Sequence, residues 1–372
     1  MNEEFTRKLK LGIYISLAVI IFFFVLIIAK GILIPLSLAY LFSTLIYPLV
    51  VWLRKLKLPD TLAILVSVLL FIGLIFFAFN FFVQQLQGFM DDLPVIKDKA
   101  LVNLAVIRQN IEDSIGISSE AQHRWLTARL EHLFDSSSNF MKNAFNATAG
   151  TVFTLLLIPV FMFYMLNARD RLRSFISMVL PSGLRPRAEE LMSKVSTVSQ
   201  HYIQGVFIVI LILCILNSVG LYIAGLKYAM VFGIISALFN LIPYFGNWIG
   251  AALPLLFAIL TGESPSLFFS VLLVYIIIQF IEHNILTPNI TGGNVRLNPL
   301  VTIVGIIIGE MVWGIPGMLV VIPAMASLKI VFENVDSLKP LAHLLGSEEP
   351  HHKVLFRMVR KKWKSGVGSH ES

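Results

Sequence analysis

One acid stands well inside a long apolar stretch in the second half of this chain, and a second falls in the polar seam that ends another apolar run. Glu310 lies in G-E-M-V-W-G-I-P-G at 309–317, and Glu282 in Q-F-I-E-H-N at 279–284. A charged carboxylate in hydrocarbon costs about 3 kcal/mol unless it is paired, hydrated or protonated, so such residues commonly mark ion or proton pathways. Gln279, Glu282 and His283 fall within about one helical turn and share a side of a helix, with Asn284 following. His283 adds an imidazole to the seam, the side-chain type suited to proton exchange. A structural reading stands beside each functional one. A glutamate at a hairpin tip near the interface can be hydrogen-bonded or protonated, and a helix leaving a bilayer turns polar of itself.

The same regions carry backbone breakers. Pro243, Gly246 and Gly250 interrupt one apolar stretch at F-N-L-I-P-Y-F-G-N-W-I-G, 239–250. Gly309, Gly314, Pro316 and Gly317 interrupt another, and Pro288 and Pro299 lie between the two. A half-helix ends in unpaired backbone groups and a partial charge, which transporters use to hold ions and substrates near the midplane. Asn240, Tyr244, Asn247 and Asn298 are neutral polar groups beside these breaks. The expected site is where the 239–250 break, the 279–284 polar seam and the 309–317 break converge. There Glu282 and Glu310 are the charged members, Asn240 and Gln279 neutral ligands, and the glycines allow close backbone approach.

Composition says what must carry such a site. Of 372 residues 57% are apolar and 14% charged, 29 are Phe, and mean hydropathy is +0.82. Surface-to-volume scaling gives a soluble domain no way to hide that much apolar surface, which excludes a soluble enzyme, a disulfide scaffold and a disordered chain. The expected fold is an all-α polytopic membrane protein with about eight hydrophobic segments. The net charge of +7 sits in short loops and the tail, where Lys and Arg set topology, so no nucleic-acid partner is expected. Cys214, the single cysteine, reads as a small hydrophobe in an apolar run.

A span needs roughly 20 apolar residues. Leu11–Ala29, Ile32–Leu53, Thr61–Val83, Thr148–Leu166 and Gly205–Leu226 qualify, and none holds an Asp, Glu, Lys or Arg in its interior. Tyr228–Leu260 and Leu300–Val331 are too long for one span and are broken, either as kinked spans or as re-entrant hairpins; Ser266–Ile281 lies between them. Basic residues at 7–10, 54–57, 169–194 and in the tail fall on one side if both termini are cytoplasmic. The expected location is a bacterial inner membrane, with membrane lipids as partners and a homo-oligomer as the assembly.

Five regions follow: transmembrane helices over 1–83, an extracytoplasmic insert over 84–147, a span plus cytoplasmic amphipathic helix over 148–204, a core with broken helices over 205–332, and a basic tail over 333–372. In the insert, Leu93, Ile96, Ala100, Leu104, Ile107 and Ile111 recur at helical spacing, with a second apolar stripe at Trp125, Leu126, Leu130, Leu133 and Phe134. Such stripes pack on their own protein or on the bilayer interface. In the cytoplasmic insert, Pro186 with Glu189 and Glu190 starts a helix whose stripe is Leu191, Val195, Val198 and Tyr202, expected to dock at the interface.

Catalytic signatures are missing from the sequence. It holds no H-E-x-x-H pair, no Cys/His cluster, no G-x-S-x-G elbow and no phosphate-binding G-x-x-x-x-G-K-[ST] loop. No cofactor or metal is expected, and transport, if any, is not driven by an ATPase of its own.

Three blocks together resemble a known family, the autoinducer-2 exporters or PerM-like permeases. They are F-N-L-I-P-Y-F-G-N-W-I-G at 239–250, Q-F-I-E-H-N-I-L-T-P-N-I-T-G-G-N-V-R-L-N-P-L at 279–300, and G-E-M-V-W-G-I-P-G-M-L-V-V-I-P at 309–323. The family's usual His before the Pro of the second block is Asn298 here, so a titratable acceptor is not carried over to that position. The resemblance implies secondary transport: export of a small polar solute such as a quorum-sensing signal, or exchange of a monovalent cation such as sodium or lithium for protons. A non-transporting membrane scaffold is the remaining alternative.

Overall fold

The structure is a computed structural model that describes residues 3–115, 128–129, 149–179, 185–242, 245–262, 265–291 and 297–346. The expected stripe at 125–134, Pro181, Pro243 and Tyr244 therefore lie outside or almost outside the described residues. Described segments are helical throughout, with one isolated β-bridge, Leu297 to Gly346. The chain is an all-α, multi-pass membrane protein. Among the described residues five helices are long and apolar enough to cross a bilayer, and shorter apolar helices accompany them. Their outer faces are lined by exposed Phe, Ile and Leu, the surface that hydrocarbon rather than water covers.

Helices α1 (Glu3–Ile28) and α2 (Lys30–Lys55) are separated only by Ala29. Helix α3 (Asp60–Asp91) runs two turns past the expected span before α4 (Leu93–Ile115) begins. After α5 (Ala149–Asn167) and α6 (Arg169–Val179), α7 (Arg185–Ile223) is one uninterrupted helix of 39 residues. The expected cytoplasmic helix and the following span are thus a single rod about 58 Å long, because no Gly or Pro between Pro186 and Gly205 breaks the ladder. Its N-terminal stripe lies against its own protein: Ser199 meets Ser327, Arg187 donates to the Asn334 carbonyl, and Tyr202 packs on Ile322 and Met325.

Helices α2, α3 and α5 form one bundle, cored by Ala39, Ile46, Val50, Ile64, Val68 and Met162. Arg169 closes its end, stacking 3.6 Å over the Tyr47 ring and donating to Ser196 of α7. The rest of the chain wraps α7. It comprises α8 (Ala229–Phe239), α9 (Gly246–Thr261), α10 (Pro265–Ile281), a π-helical segment (Glu282–Thr291), α11 (Pro299–Trp313), α12 (Ile315–Glu333) and α13 (Lys339–Leu345).

Both broken stretches fold as helical hairpins. Helix α8 has 11 residues and α9 has 16, about 16 and 24 Å long, so neither reaches across a hydrocarbon core about 30 Å thick. They lie antiparallel at backbone contact: a Cβ at Gly246 would sit 1.8 Å from the Phe239 carbonyl, and one at Gly250 would sit 2.9 Å from that of Ser236. In the second hairpin, α11 and α12 turn at Gly314, whose φ of +65° suits glycine, and its N–H donates to the Glu310 carbonyl. Gly309 and Gly317 face one another across it; a Cβ at Gly317 would fall 1.9 Å from the Gly309 carbonyl. Pro316 occupies the first turn of α12, where its missing N–H costs nothing.

The hairpins enter the bundle from opposite ends. The first is rooted where α10 begins, the second where the π segment ends. Helix α4 lies across the root of the first. Ile96 is buried against Leu221, Leu226 and Phe232, and Asn103 donates to the carbonyls of Leu260 and Gly262. The expected stripe is therefore buried on its own protein at Ile96 and Ala100; the side chains of Ile107 and Ile111 lie outside the description.

Candidate functional site

Between α7, the first hairpin, α10, the π segment and the flank of the second hairpin lies a cavity of about 960 Å³. Asn240 stands at the tip of the first hairpin, in the turn that follows α8. Glu282 is the first residue of the π segment, where the i→i+5 pattern replaces the α ladder. Pro288 lies inside that segment and cannot donate to it. Such π turns inside longer helices occur often at functional sites, because they re-aim the side chains that follow.

Glu282 is 4% exposed. Its Oε1 accepts a hydrogen bond from Asn240 Nδ2 at 2.8 Å, while its Oε2 is buried with no donor. A buried carboxylate oxygen without a partner costs more than a hydrogen bond gains, so the arrangement calls for a proton or a cation opposite it. Gln279, one turn earlier, and His283, the next residue, line the same cavity. His283 Nδ1 lies 2.9 Å from the Gln279 carbonyl. Asn247 and Thr302 add polar groups, and among the described residues no Lys or Arg lines the cavity. Its remaining walls are apolar and aromatic, with Tyr202, Trp248 and Tyr275 among them.

Tyr275 belongs to a polar knot behind the wall. Ser236 of α8 donates to the Gly250 carbonyl at 2.6 Å and shares a hydrogen bond with the Tyr275 hydroxyl at 2.6 Å. This ties both arms of the first hairpin to α10. Tighter than any side chain would permit, the contact at Gly246 and Gly250 fixes where Asn240 stands.

At the root of that hairpin, Phe89, Tyr228, Phe232 and Phe257 stack edge-to-face and tilted, with ring centroids 4.8–6.2 Å apart. Outside them Asp92 accepts from Lys227 at 2.7 Å and from the Tyr228 hydroxyl. These two donors hold the Asp92 carboxyl below its ordinary value, and Asp92 in turn raises Lys227.

The remaining sequence candidates lie elsewhere. Glu310 is exposed in the last turn of α11, near the tip of the second hairpin, and does not line the cavity. Only the middle of that hairpin reaches the cavity, through Thr302, Leu319 and Ile322, because the tip is carried toward α1, where Trp313 Nε1 donates to the Leu26 carbonyl. Gly309, Gly314 and Gly317 thus serve the hairpin's own closure. Asn284 does not line the cavity; its Nδ2 donates to the Phe280 carbonyl one turn back at 2.9 Å. Asn298 is a helix cap: its Oδ1 accepts from Leu300 N–H at 3.0 Å, with Pro299 beginning α11. Sequence reasoning missed Tyr202, Tyr275, Thr287 and Ser236 as parts of the site. Tyr275 and Ser236 sit in continuous apolar runs, where only their being polar could have singled them out. Among the described residues no group of three His, Cys, Asp or Glu side chains is placed to hold a metal ion.

Comparison with known proteins agrees with this architecture. YrrI of Bacillus subtilis, a candidate transport protein, is 28% identical over 309 residues, 81% of this chain and 86% of its own. YueF of the same organism, also a candidate transport protein, is 28% identical over 327 residues, 85% of this chain and 87% of its own. The candidate permease PerM of Escherichia coli is 24% identical over 177 residues, about half of each chain. The profile described as AI-2E family transporter matches residues 15–337, and the chain belongs to that family of membrane transporters.

Proposed function

We propose that the protein is a secondary transporter that moves a small solute through the cavity around Glu282, with export as its direction. The single observation that carries this is the Asn240–Glu282 contact: a buried carboxylate, half-satisfied by the tip of a broken helix, at the wall of a large cavity. Coupling then comes from charge exchange at Glu282, which needs no nucleotide site. The two hairpins re-enter from opposite faces of a bacterial inner membrane, the first from outside and the second from the cytoplasm, with both termini cytoplasmic. On this topology the cavity lies toward the cytoplasmic side, and the aromatic stack at Phe89, Phe232 and Phe257 closes it from outside.

Exchange of a monovalent cation for protons is the second reading, favoured by the same unpartnered Oε2. Reconstituted protein separates the two. Solute accumulation in proteoliposomes without sodium supports the export reading, whereas sodium-dependent collapse of a pH gradient supports exchange. Fluxes equal to those of empty liposomes for every solute and cation tested would overturn both.

A further inference from the structure

We infer that the cavity is built for an organic cation: a solute with an apolar, preferably aromatic, body and one positive charge, such as a protonated amine or quaternary ammonium. The inference rests on the transport reading for the cavity's purpose and adds the class of solute. Three observations converge on it. First, the charged side chain of fixed sign at the cavity wall is Glu282, whose Oε2 is buried and without a donor. Among the described residues that line the cavity none is a Lys or Arg that could neutralise it. Second, the walls are mostly apolar: Val206, Val209, Ile210, Ala251, Leu255 and Leu272 offer contact area for a hydrocarbon body and nothing for a strongly hydrated ion. Third, Tyr202, Trp248 and Tyr275 present aromatic rings to the same space, and Trp248 is 80% exposed. Aromatic faces attract cations through the ring quadrupole, most strongly for Trp, and weakly hydrated organic cations are the ones held this way.

A neutral polar solute could donate a hydrogen bond to Oε2 but would leave the buried charge without a counter-charge, and an anion would meet a carboxylate with no Lys or Arg among the described lining residues to offset it. A bare alkali ion needs a cage of several oxygens to replace its water. Here Asn240 turns its Nδ2 donor toward the carboxylate and so supplies no oxygen to that face. His283 is the remaining titratable group beside the site besides the tyrosines; it is exposed and its Nδ1 is engaged with the Gln279 carbonyl. Charge selection therefore falls to Glu282.

The test is equilibrium binding to the full chain in lipid nanodiscs, using three water-soluble probes with one ring each: benzyltrimethylammonium, benzyl alcohol and benzenesulfonate. Wild-type protein is expected to bind the cation at least about tenfold more tightly than the alcohol, the weight of one charge-assisted contact, and not to bind the sulfonate. Glu282→Gln is expected to remove that preference and leave the alcohol's affinity unchanged. Thr287→Lys is a second variant at an exposed cavity position five residues on, one π turn from Glu282, and is expected to abolish cation binding in a normally folded protein. Equal affinity for cation and alcohol, a preference that survives both substitutions, or sodium binding without benzyltrimethylammonium binding would overturn the inference. The transport reading fails separately. Cation-selective binding without flux of any solute sinks transport and keeps the recognition, whereas Glu282-independent flux of a neutral or anionic solute sinks the recognition and keeps transport.

Discussion

Asn240 and Glu282, 42 positions apart, meet at 2.8 Å through Nδ2 and Oε1, and this bond joins the tip of the first hairpin to the first turn of the π segment. One residue ends a helix too short to cross the bilayer, and the other begins a stretch in which the helix is underwound to a wider turn. Each break leaves a polar group at membrane depth, and the two groups satisfy one another only in part. The residual need at Oε2 is what gives the cavity a chemistry.

Asn240→Ala removes the donor and leaves both carboxylate oxygens without a partner. The expected cost is about 1–3 kcal/mol, the penalty of an unsatisfied buried acceptor, read as a lower midpoint of thermal unfolding in detergent. Asn240→Asp sets a second carboxylate against the first and should cost more. An unchanged midpoint in both variants would show that the contact is not held in the folded protein.

Glycine substitutions separate packing from propensity. Gly246→Ala and Gly317→Ala each drive a methyl into a backbone carbonyl, 1.8 and 1.9 Å away, and the hairpin arms must part to admit it. Expected losses exceed about 2 kcal/mol, in the range of overpacking. Gly88→Ala is the control. It lies exposed in α3 with nothing within 4 Å of the added methyl, so a gain of about 0.5–1 kcal/mol from helix propensity is expected. Thermal midpoints of the three variants should fall on opposite sides of wild type.

That the two long stretches break was legible from length, because 33 apolar residues with a Pro-Tyr-Phe-Gly-Asn break exceed one span, but length left a kinked span and a hairpin equally open. The α4 stripe was legible from period, and Ile96 and Ala100 lie where it put them. The continuity of α7 was legible only as the absence of breakers between 187 and 204, while Pro181 and Pro186 drew attention to a turn ahead of it. The π segment had no signal, since an i→i+5 ladder leaves no distinct apolar period over ten residues. Nor does sequence spacing tell that Glu282 faces a cavity and Glu310 does not. That difference arises from tertiary placement: Trp313 anchors the second tip on α1, away from α10.

The clasp of Asp92 on Lys227 and Tyr228 gives a pH dependence of known sign. The Asp92 carboxyl is held below its ordinary value of 3.8, first by Lys227 and then by Tyr228. A depressed acid stabilises the folded state above its ordinary value and loses that contribution as pH falls through the lower folded value. The clasp is therefore expected to be constant from pH 5 to 8 and to open only below 3.8. At pH 7, Asp92→Asn should speed hydrogen exchange along α4 by no more than about fivefold, as befits an exposed pair, and 1 M salt should reproduce most of that effect. A protection factor in α4, corrected for intrinsic exchange, that changes between pH 5 and 8 in wild type but not in Asp92→Asn would contradict the assignment.

The topology proposed from the basic loops is open to labelling. In a Cys214→Ala background, Asp98→Cys on α4 should react with a membrane-impermeant maleimide in intact cells, and Lys194→Cys on α7 should react only after lysis. Both side chains are exposed, so burial does not confound the result. The reverse pattern would invert the protein in the membrane and with it the sides from which the hairpins enter.

The last prediction sets the two acids against each other. Glu310 lies well inside an apolar stretch and Glu282 in the polar seam at the end of one, so sequence position alone favours Glu310 as the costlier charge. Their surroundings do not. Glu282 is 4% exposed at the cavity wall, with one oxygen held by Asn240 and the other free of donors. Glu310 is exposed near the tip of the second hairpin, and its backbone carbonyl, which any residue supplies, is what closes the Gly314 turn. Replacing Glu by Gln keeps size and hydrogen-bonding capacity but removes ionisation. Glu282→Gln is therefore expected to lower solute flux in proteoliposomes at least about a hundredfold, the scale of losing a charged partner in a buried site. Glu310→Gln should retain flux within about threefold. Midpoints of unfolding close to wild type in both variants would confine the effect to transport. Loss of flux in Glu310→Gln with full flux in Glu282→Gln would move the ionisable site to the second tip and leave the Asn240–Glu282 contact as a packing feature.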